Sequence, residues 1–379
     1  MRGGRLIVRV PREKPFQEYF LTGCADGLGS LESAQRIFSK LAQVLAQRRV
    51  QPLSERIYGL GRARRRILEM RSRALRTWGL ESALPFTYIE GRPSDRREWS
   101  GIQVWGVGRE GEEGAPVASV ACPNGIRGRL WTRPEFRLLH ISSVHGAAPG
   151  ARIPLKPAAQ ARRMFLNARR ALSAQGFRYA EVIRTWIYIR RILEWYGQFN
   201  GVRNALYARP DFFGGNVRIF PASTGIQGHS LDEECIMDVL AFSPLDNSRA
   251  RPILKSGRQG PAFSYGSAFS RAVSLPIAGR RVLHVSGTAS IAPTGENLCE
   301  GNPEGQSLQA IDNIAAILRE NGAGLKDICS ATVFYKSEKA LQACRKAMSR
   351  LGAPLPAVTV PADVCRPGLQ VEIEAVALP

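Results

Sequence analysis

Apolar residues recur along this chain with two different periods, and the switches between them mark out its elements. Leu31 to Gln47 and Gly59 to Arg76 repeat at helical spacing, the second with Ile67, Leu68 and Leu75 on one side and arginines on the other. Phe86 to Arg92 and Gly101 to Val107 alternate residue by residue and predict strands, after which Arg109 to Gly114 predicts a surface turn. From Phe136 the pattern is more regular. Phe136 to Gly146 predicts a buried strand running into a loop. Pro157 to Gln175 predicts a long helix with Ala161, Met164, Phe165, Ala168 and Leu172 on one face, capped by Gly176. A strand at Ala180 to Ile189, a helix at Trp195 to Tyr207 and two strands around Val217 to Phe220 and Cys235 to Phe242 follow.

The order then comes again: strand at Arg280 to Ser290, helix at Gln306 to Asn321, strand at Cys329 to Lys336, helix at Glu338 to Leu351, closing strands at Pro356 to Cys365 and Leu369 to Leu378. Gln160, Asn167, Gly176, Glu181 and Tyr188 are matched by Gln306, Asn313, Gly322, Asp327 and Phe334, each pair 146 positions apart (306 − 160). A register kept over helix, turn and strand marks a duplication, and duplicated units place a ligand site where the copies meet. Each copy reads as an α+β unit with two helices on one face of a mixed sheet, and packing the copies together covers their sheet edges. The division expected is an N-terminal α/β region at 1–120, a first unit at 121–250 and a second at 251–379, with the polar stretch Ser243 to Gly260 as linker.

Composition narrows the class. A chain of 379 residues, 44% hydrophobic, has the material for two or three cores. It has no run of about 20 apolar residues for a membrane span and no apolar signal segment in MRGGRLIVRV, so a cytoplasmic protein is expected. The seven cysteines (Cys24, Cys122, Cys235, Cys299, Cys329, Cys344, Cys365) never form CxxC, and the four histidines never form HxxxH or HExxH. Neither a disulfide framework nor a metal centre is expected, and no cofactor. The formal charge of +21 is carried by arginines scattered over the whole chain, which is also what a GC-rich coding sequence produces. No aromatic residue interleaves the arginines of Gly59 to Arg76 to stack on bases, so a solvated helix face is favoured there over a nucleic-acid surface.

The second copy resembles the RidA/YjgF family: Gly260 to Glu296 matches its opening, including SGTASIAPTGE, and Gln370 to Leu378 its closing strand. That resemblance implies two tandem RidA/YjgF-like (chorismate-mutase-like) domains. The arginine that holds the substrate carboxylate in the family's imine deaminases is missing, since Ala357 stands fifteen residues before Glu372 and Ser223 at the matching point of the first copy. Simple imine hydrolysis is therefore disfavoured. Trp186 to Ile189, Tyr196 to Arg203, Pro221 to Ile226, Phe269 to Ala272 and Asp363 to Ala375 together resemble the chorismatase family, over roughly residues 85 to 379. Members cleave the enolpyruvyl ether of chorismate, releasing pyruvate and either a dihydroxycyclohexadienoate or a hydroxybenzoate. Rid proteins generally form trimers, so two units plus the N-terminal region are expected to act as a monomer or to complete a pseudo-trimeric ring within one chain. A non-catalytic or RNA-interacting Rid-type protein is the rival class.

Chorismate carries two carboxylates, which calls for the planar fork of arginine. Arg271 and Arg203 are the leading candidates, with Arg203 otherwise a helix-surface residue. Ser223, Thr224 and Gly225 offer hydroxyls and a flexible backbone beside a carboxylate, and Tyr207 and Tyr265 offer phenols. Breaking the ether begins with protonation of its methylene carbon, which needs a carboxylic acid kept neutral by burial. Glu372 and Glu374 alternate with Val371, Ile373 and Ala375 and so share one face of a strand; the resemblance picks Glu372 as general acid. It also places a cysteine seven residues before that acid in the 3-hydroxybenzoate-forming type, the position of Cys365 (372 − 365). Arg366 beside it is expected to favour the thiolate, with a buried inert thiol as the alternative.

Overall fold

The computed structural model describes residues 4–10, 17–25, 29–91, 97–108, 117–146, 156–213, 220–229, 233–277, 279–352 and 355–379. The turn expected at Arg109 to Gly114 and most of the strand expected at Val217 to Phe220 lie outside them.

The chain folds as three consecutive α+β stretches. The first runs β1 (Arg5–Arg9), β2 (Glu18–Cys24), α1 (Leu31–Gln47), β3 (Val50–Gly59), α2 (Arg64–Thr77), β4 (Thr87–Ile89) and β5 (Trp99–Gly108). The second runs β6 (Val117–Ala121), β7 (Arg127–Thr132), β8 (Phe136–His145), α3 (Pro157–Ala174), β9 (Val182–Ile189), α4 (Ile192–Tyr207), β10 (Ala222–Gln227) and β11 (Cys235–Pro244). The third runs β12 (Arg251–Ile253), β13 (Ala272–Ile277), β14 (Arg280–Ala289), α5 (Pro303–Arg319), β15 (Ile328–Tyr335), α6 (Glu338–Arg350), β16 (Ala357–Pro361) and β17 (Val371–Ala377). Helices α1, α5 and α6 begin where a side chain satisfies a free N–H group: Ser30 accepts from Ser33, Asn302 from Gly305 and Ser337 from Ala340.

Strand order reveals more than the duplication. The first sheet is ordered β1-β2-β5-β3-β4. The second contains β7-β8-β11-β9-β10 and the third β13-β14-β17-β15-β16, with β6 and β12 added at the outer edges. Directions agree as well, since β3–β4, β9–β10 and β15–β16 are the parallel pairs. The N-terminal region is thus a third copy of the same unit. Because β6 pairs with β7 in the second sheet, we propose the first boundary just before Val117 rather than at 120. The linker expected at Ser243 to Gly260 contains β12, paired with β13. The basic helix starts at Arg64 because β3 continues to Gly59, and one of its arginines turns inward: Arg71 is buried in a two-pronged ion pair with Glu55, both contacts 2.6 Å.

Each unit keeps a core between its own helices and sheet, and a fourth core joins all three. Phe20, Tyr58 and Trp105 of the first unit, Trp131, Leu138 and Trp186 of the second, and Val273, Phe334 and Val358 of the third share that central cluster. The edge strands β4, β10 and β16 are buried among the units, which hides backbone groups that would otherwise invite another chain, while the opposite edges β1 and β6 are largely exposed. Glu90 and His229 exchange both backbone hydrogen bonds between the first and second units, and the Gln227 N–H donates to Asp363 O between the second and third.

The registers align one position across the three units. Gln103 lies opposite Arg56, Asp238 opposite Trp186 and Glu374 opposite Thr332. Two residues earlier stand Gly101, Ile236 and Glu372, opposite Tyr58, Tyr188 and Phe334. Only the third unit therefore brings an acid to this point.

Candidate active site

Val371, Ile373 and Ala375 of β17 pack into the core under α5 and α6, which turns Glu372 and Glu374 to the opposite face of the strand. That face meets the first and second units rather than solvent, and both acids are buried. The Glu372 carboxyl lies over Gly287 of β14, where a Cβ would stand 2.0 Å from Oε1; a glycine is what lets a carboxyl approach the backbone so closely. Burial raises Glu372 from 4.5 to about 8, the neighbouring Glu374 charge adds to the rise, and Arg184 opposes it. At neutral pH this side chain carries its proton.

Glu374 is in the other state. Burial works against its ionisation, yet Arg56 and Arg184 hold it below the ordinary carboxyl range. Arg56 Nη1 donates to Oε1 at 2.8 Å and Arg184 Nη2 to Oε2 at 2.7 Å, with Thr224 and Thr332 hydroxyls completing the shell. Arg184 is pushed down by burial to about 10 and remains a cation at neutral pH.

Glu372 opens into a cavity of about 180 Å³ between the second and third units. Three arginines line it. Arg203 lies on the buried stripe of α4 with Ile192, Trp195, Phe199 and Leu206; it is 1% exposed rather than a surface residue, and its Nη2 donates to Asn200 Oδ1 at 2.7 Å. Arg271 gives Nε and Nη2 to a single acceptor, Gly260 O. Arg366 gives Nη1 to Gly295 O and Asn297 Oδ1. Aromatic rings alternate with the guanidinium groups: Phe269 lies 6.0 Å from Arg203 and 5.5 Å from Arg271, and Tyr265 lies 5.4 Å from both Arg271 and Arg366. Among the described residues none of the three is paired with a carboxylate. Three such fixed cations around one small cavity suit it to an anion with more than one negative group.

Eight of the ten candidate residues line this cavity: Glu372, Cys365, Arg271, Arg203, Ser223, Gly225, Tyr265 and Arg366. Thr224 does not, because alternation along β10 sends Ser223 and Gly225 to the cavity and Thr224 the other way, to Glu374. Tyr207 does not either. Its ring is packed among Phe165, Tyr179, Phe213 and Phe220, with centroids 4.8 to 6.0 Å away. The thiolate expected at Cys365 is also corrected: burial and the Glu372 charge push the thiol up to about 12, and Arg366 does not offset them. Cys365 is a neutral thiol in the cavity wall.

Sequence reasoning left out Tyr196, Asn200, Phe269, Gly287 and Arg184. Tyr196, Asn200 and Arg203 follow helical spacing on α4, a readable signal. Tyr196 Oη would lie 3.3 Å from a Cβ on Gly225, so that glycine makes room for the phenol. Arg184 carried no signal, since its partner is 190 residues away.

His140 and His284 lie in the central core, both pushed down to about 3, chiefly by burial. Among the described residues no group of three or more His, Cys, Asp or Glu is placed to hold a metal ion. No described helix is long and apolar enough to cross a membrane.

Fold and cavity define a chain of RidA-like α+β units with its candidate site between two of them. The fold is that of a solved chorismatase, aligned over 86% of this chain and 92% of that one with a TM-score of 0.62 and 20% sequence identity. Residues 262–378 match the model of the family described as Endoribonuclease L-PSP. Single-unit structures align with 34% of the chain: an endoribonuclease-type protein from Thermotoga maritima (28% identity, 98% of that chain, TM-score 0.29) and RidA from an Antarctic Psychrobacter (22% identity, 100% of that chain, TM-score 0.28). No curated protein matches the sequence.

Proposed function

We propose that this protein cleaves the enolpyruvyl ether of chorismate to pyruvate and a hydroxybenzoate, 3-hydroxybenzoate in particular. The observation that carries the reading is a protonated, buried Glu372 at the edge of a cavity lined by three unpaired arginines. Arg271, Arg366 and Arg203 hold the ring and enolpyruvyl carboxylates, assisted by Tyr265, Ser223 and the Gly225 backbone. Glu372 gives its proton to the methylene carbon, which leaves an oxocarbenium centre at the ether carbon and a carboxylate on the enzyme. Burial that disfavours this carboxylate also drives the transfer.

The carbon–oxygen bond to the ring then breaks as a ring hydroxyl displaces the pyruvate oxygen. Aromatisation returns a proton to Glu372, so chorismate is converted to hydroxybenzoate and pyruvate without water. Cys365, a neutral thiol seven residues before the acid (372 − 365), favours this branch by closing the cavity wall with a group that neither attacks nor deprotonates. In the hydrolytic alternative, water adds to the oxocarbenium carbon and the ring leaves as a dihydroxycyclohexadienoate.

The test is incubation with chorismate, following pyruvate by a coupled assay and the ring product by chromatography. No pyruvate at high enzyme concentration would end the proposal; pyruvate with a dienoate would leave the hydrolase. A cytoplasmic setting is supported by seven unpaired cysteines. A monomer is supported by three units already packed within one chain, and sedimentation of the purified protein tests that.

A further inference from the structure

Thr224 and Glu374 stand beside the cavity rather than in it, yet they are joined to everything that seats Glu372. The Thr224 hydroxyl donates to Glu374 Oε2 at 2.5 Å and accepts from Arg184 Nη2 at 2.6 Å and from the Gly287 N–H at 3.1 Å. Gly287 is the backbone on which the Glu372 carboxyl rests. Arg184 is fully occupied on this side by Thr224 and Glu374, while its Nη1 is buried without a protein partner. Arg56 reaches the same carboxylate from the first unit, so the cluster draws on all three units.

We propose that Glu374 is a positioning residue for Glu372: its carboxylate ties down Arg184 and Thr224, so that Arg184 stays off the acid and Gly287, bonded to Thr224, stays beneath it. The inference rests on Glu372 being the general acid of the proposed reaction. Glu372 faces Glu374 along its own strand, Arg184 from β9, Tyr196 and Arg203 from α4 and Cys365 from the loop before β17, with Arg271, Arg366 and Tyr265 lining the same cavity. Of these, Arg184 is the cation set against the acid, and Glu374 is what it pairs with instead. Without that pairing a buried guanidinium with a free nitrogen turns to the nearest carboxyl and stabilises its ionised form, so the carboxyl releases its proton to solvent.

The experiment is infrared difference titration of the unliganded protein, with Glu372→Gln subtracted to isolate the carbonyl band of the Glu372 acid. In Glu374→Gln the band is expected to disappear at a pH lower by about one pH unit or more than in the wild type. A midpoint that stays put or rises overturns the proposal. Thr224→Val keeps both ion pairs and guards against a Glu374→Gln variant that does not fold. It is expected to move the band's frequency while leaving its midpoint nearly unchanged, and an unmoved band overturns the link through Thr224. None of these readouts uses substrate. A protein that shifts as expected but releases no pyruvate keeps this assignment and loses the chorismate reading.

Discussion

Glu372 and Glu374 project from the same face of one strand, two residues apart, and are held in opposite protonation states. Arg56 and Arg184 grip Glu374 directly, whereas Glu372 rests on bare glycine backbone and is buried without a cation of its own. Two identical side chains are divided between an acid and a fixed charge by their surroundings alone, the division that separates proton donors from electrostatic supports in other paired carboxylates.

Removing the acid while keeping its shape tests the first role. Glu372→Gln is expected to lower kcat for pyruvate release by roughly 10²- to 10⁴-fold and to leave ligand affinity within a few-fold. Coupled assays and calorimetry measure the two separately; equal losses in both would point to a binding role instead.

The raised proton affinity of Glu372 fixes two pH dependences. Activity needs the protonated form, so kcat/KM should fall as pH rises through about 8. Stability has the same sign: a carboxyl whose folded value exceeds its unfolded one contributes fully below about 4.5 and loses that contribution as pH rises through about 8. Glu372→Gln lacks the ionisation, so its Tm relative to wild type should climb between pH 5 and pH 9. A constant Tm difference would contradict the assigned burial.

Anion binding should depend on the arginine fork rather than on charge alone. Arg203→Lys and Arg271→Lys are each expected to lose about 1.5 to 3 kcal/mol of transition-state binding, roughly 10- to 100-fold in kcat/KM. Steady-state kinetics at fixed ionic strength decide it. Lysine variants that match wild type would remove the arginines from the site.

A thiol pushed up to about 12 is inert at neutral pH. Iodoacetamide at pH 8 should label the exposed Cys299 and spare Cys365, as peptide mass spectrometry will show. Cys365→Ala should redirect or abolish the aromatic product while pyruvate release continues.

Gly287→Ala places a methyl group within 2.0 Å of Glu372 Oε1 and 3.1 Å of Thr224 Cγ2. The acid must rotate away, and turnover is expected to drop at least tenfold with the far-ultraviolet spectrum unchanged. Wild-type turnover would mean that the carboxyl does not work from this seat.

Local pattern alone showed the repeated helix, turn and strand register, the alternation that puts Glu372 and Glu374 on one face, and the arginine-bearing segments around Arg203 and Arg271. These depend on period and local spacing, which are written in neighbouring residues. The first unit was hidden, because its strand order is kept while its residues are not: Phe20 stands opposite Trp105 where the other two units both place a histidine, His140 and His284. Only tertiary structure chose which acid stays protonated, turned Thr224 and Tyr207 away from the cavity and brought Arg56 and Arg184 to Glu374 across 318 and 190 residues. Protonation follows from burial and the charges facing a group, and those are supplied by units far apart in the chain.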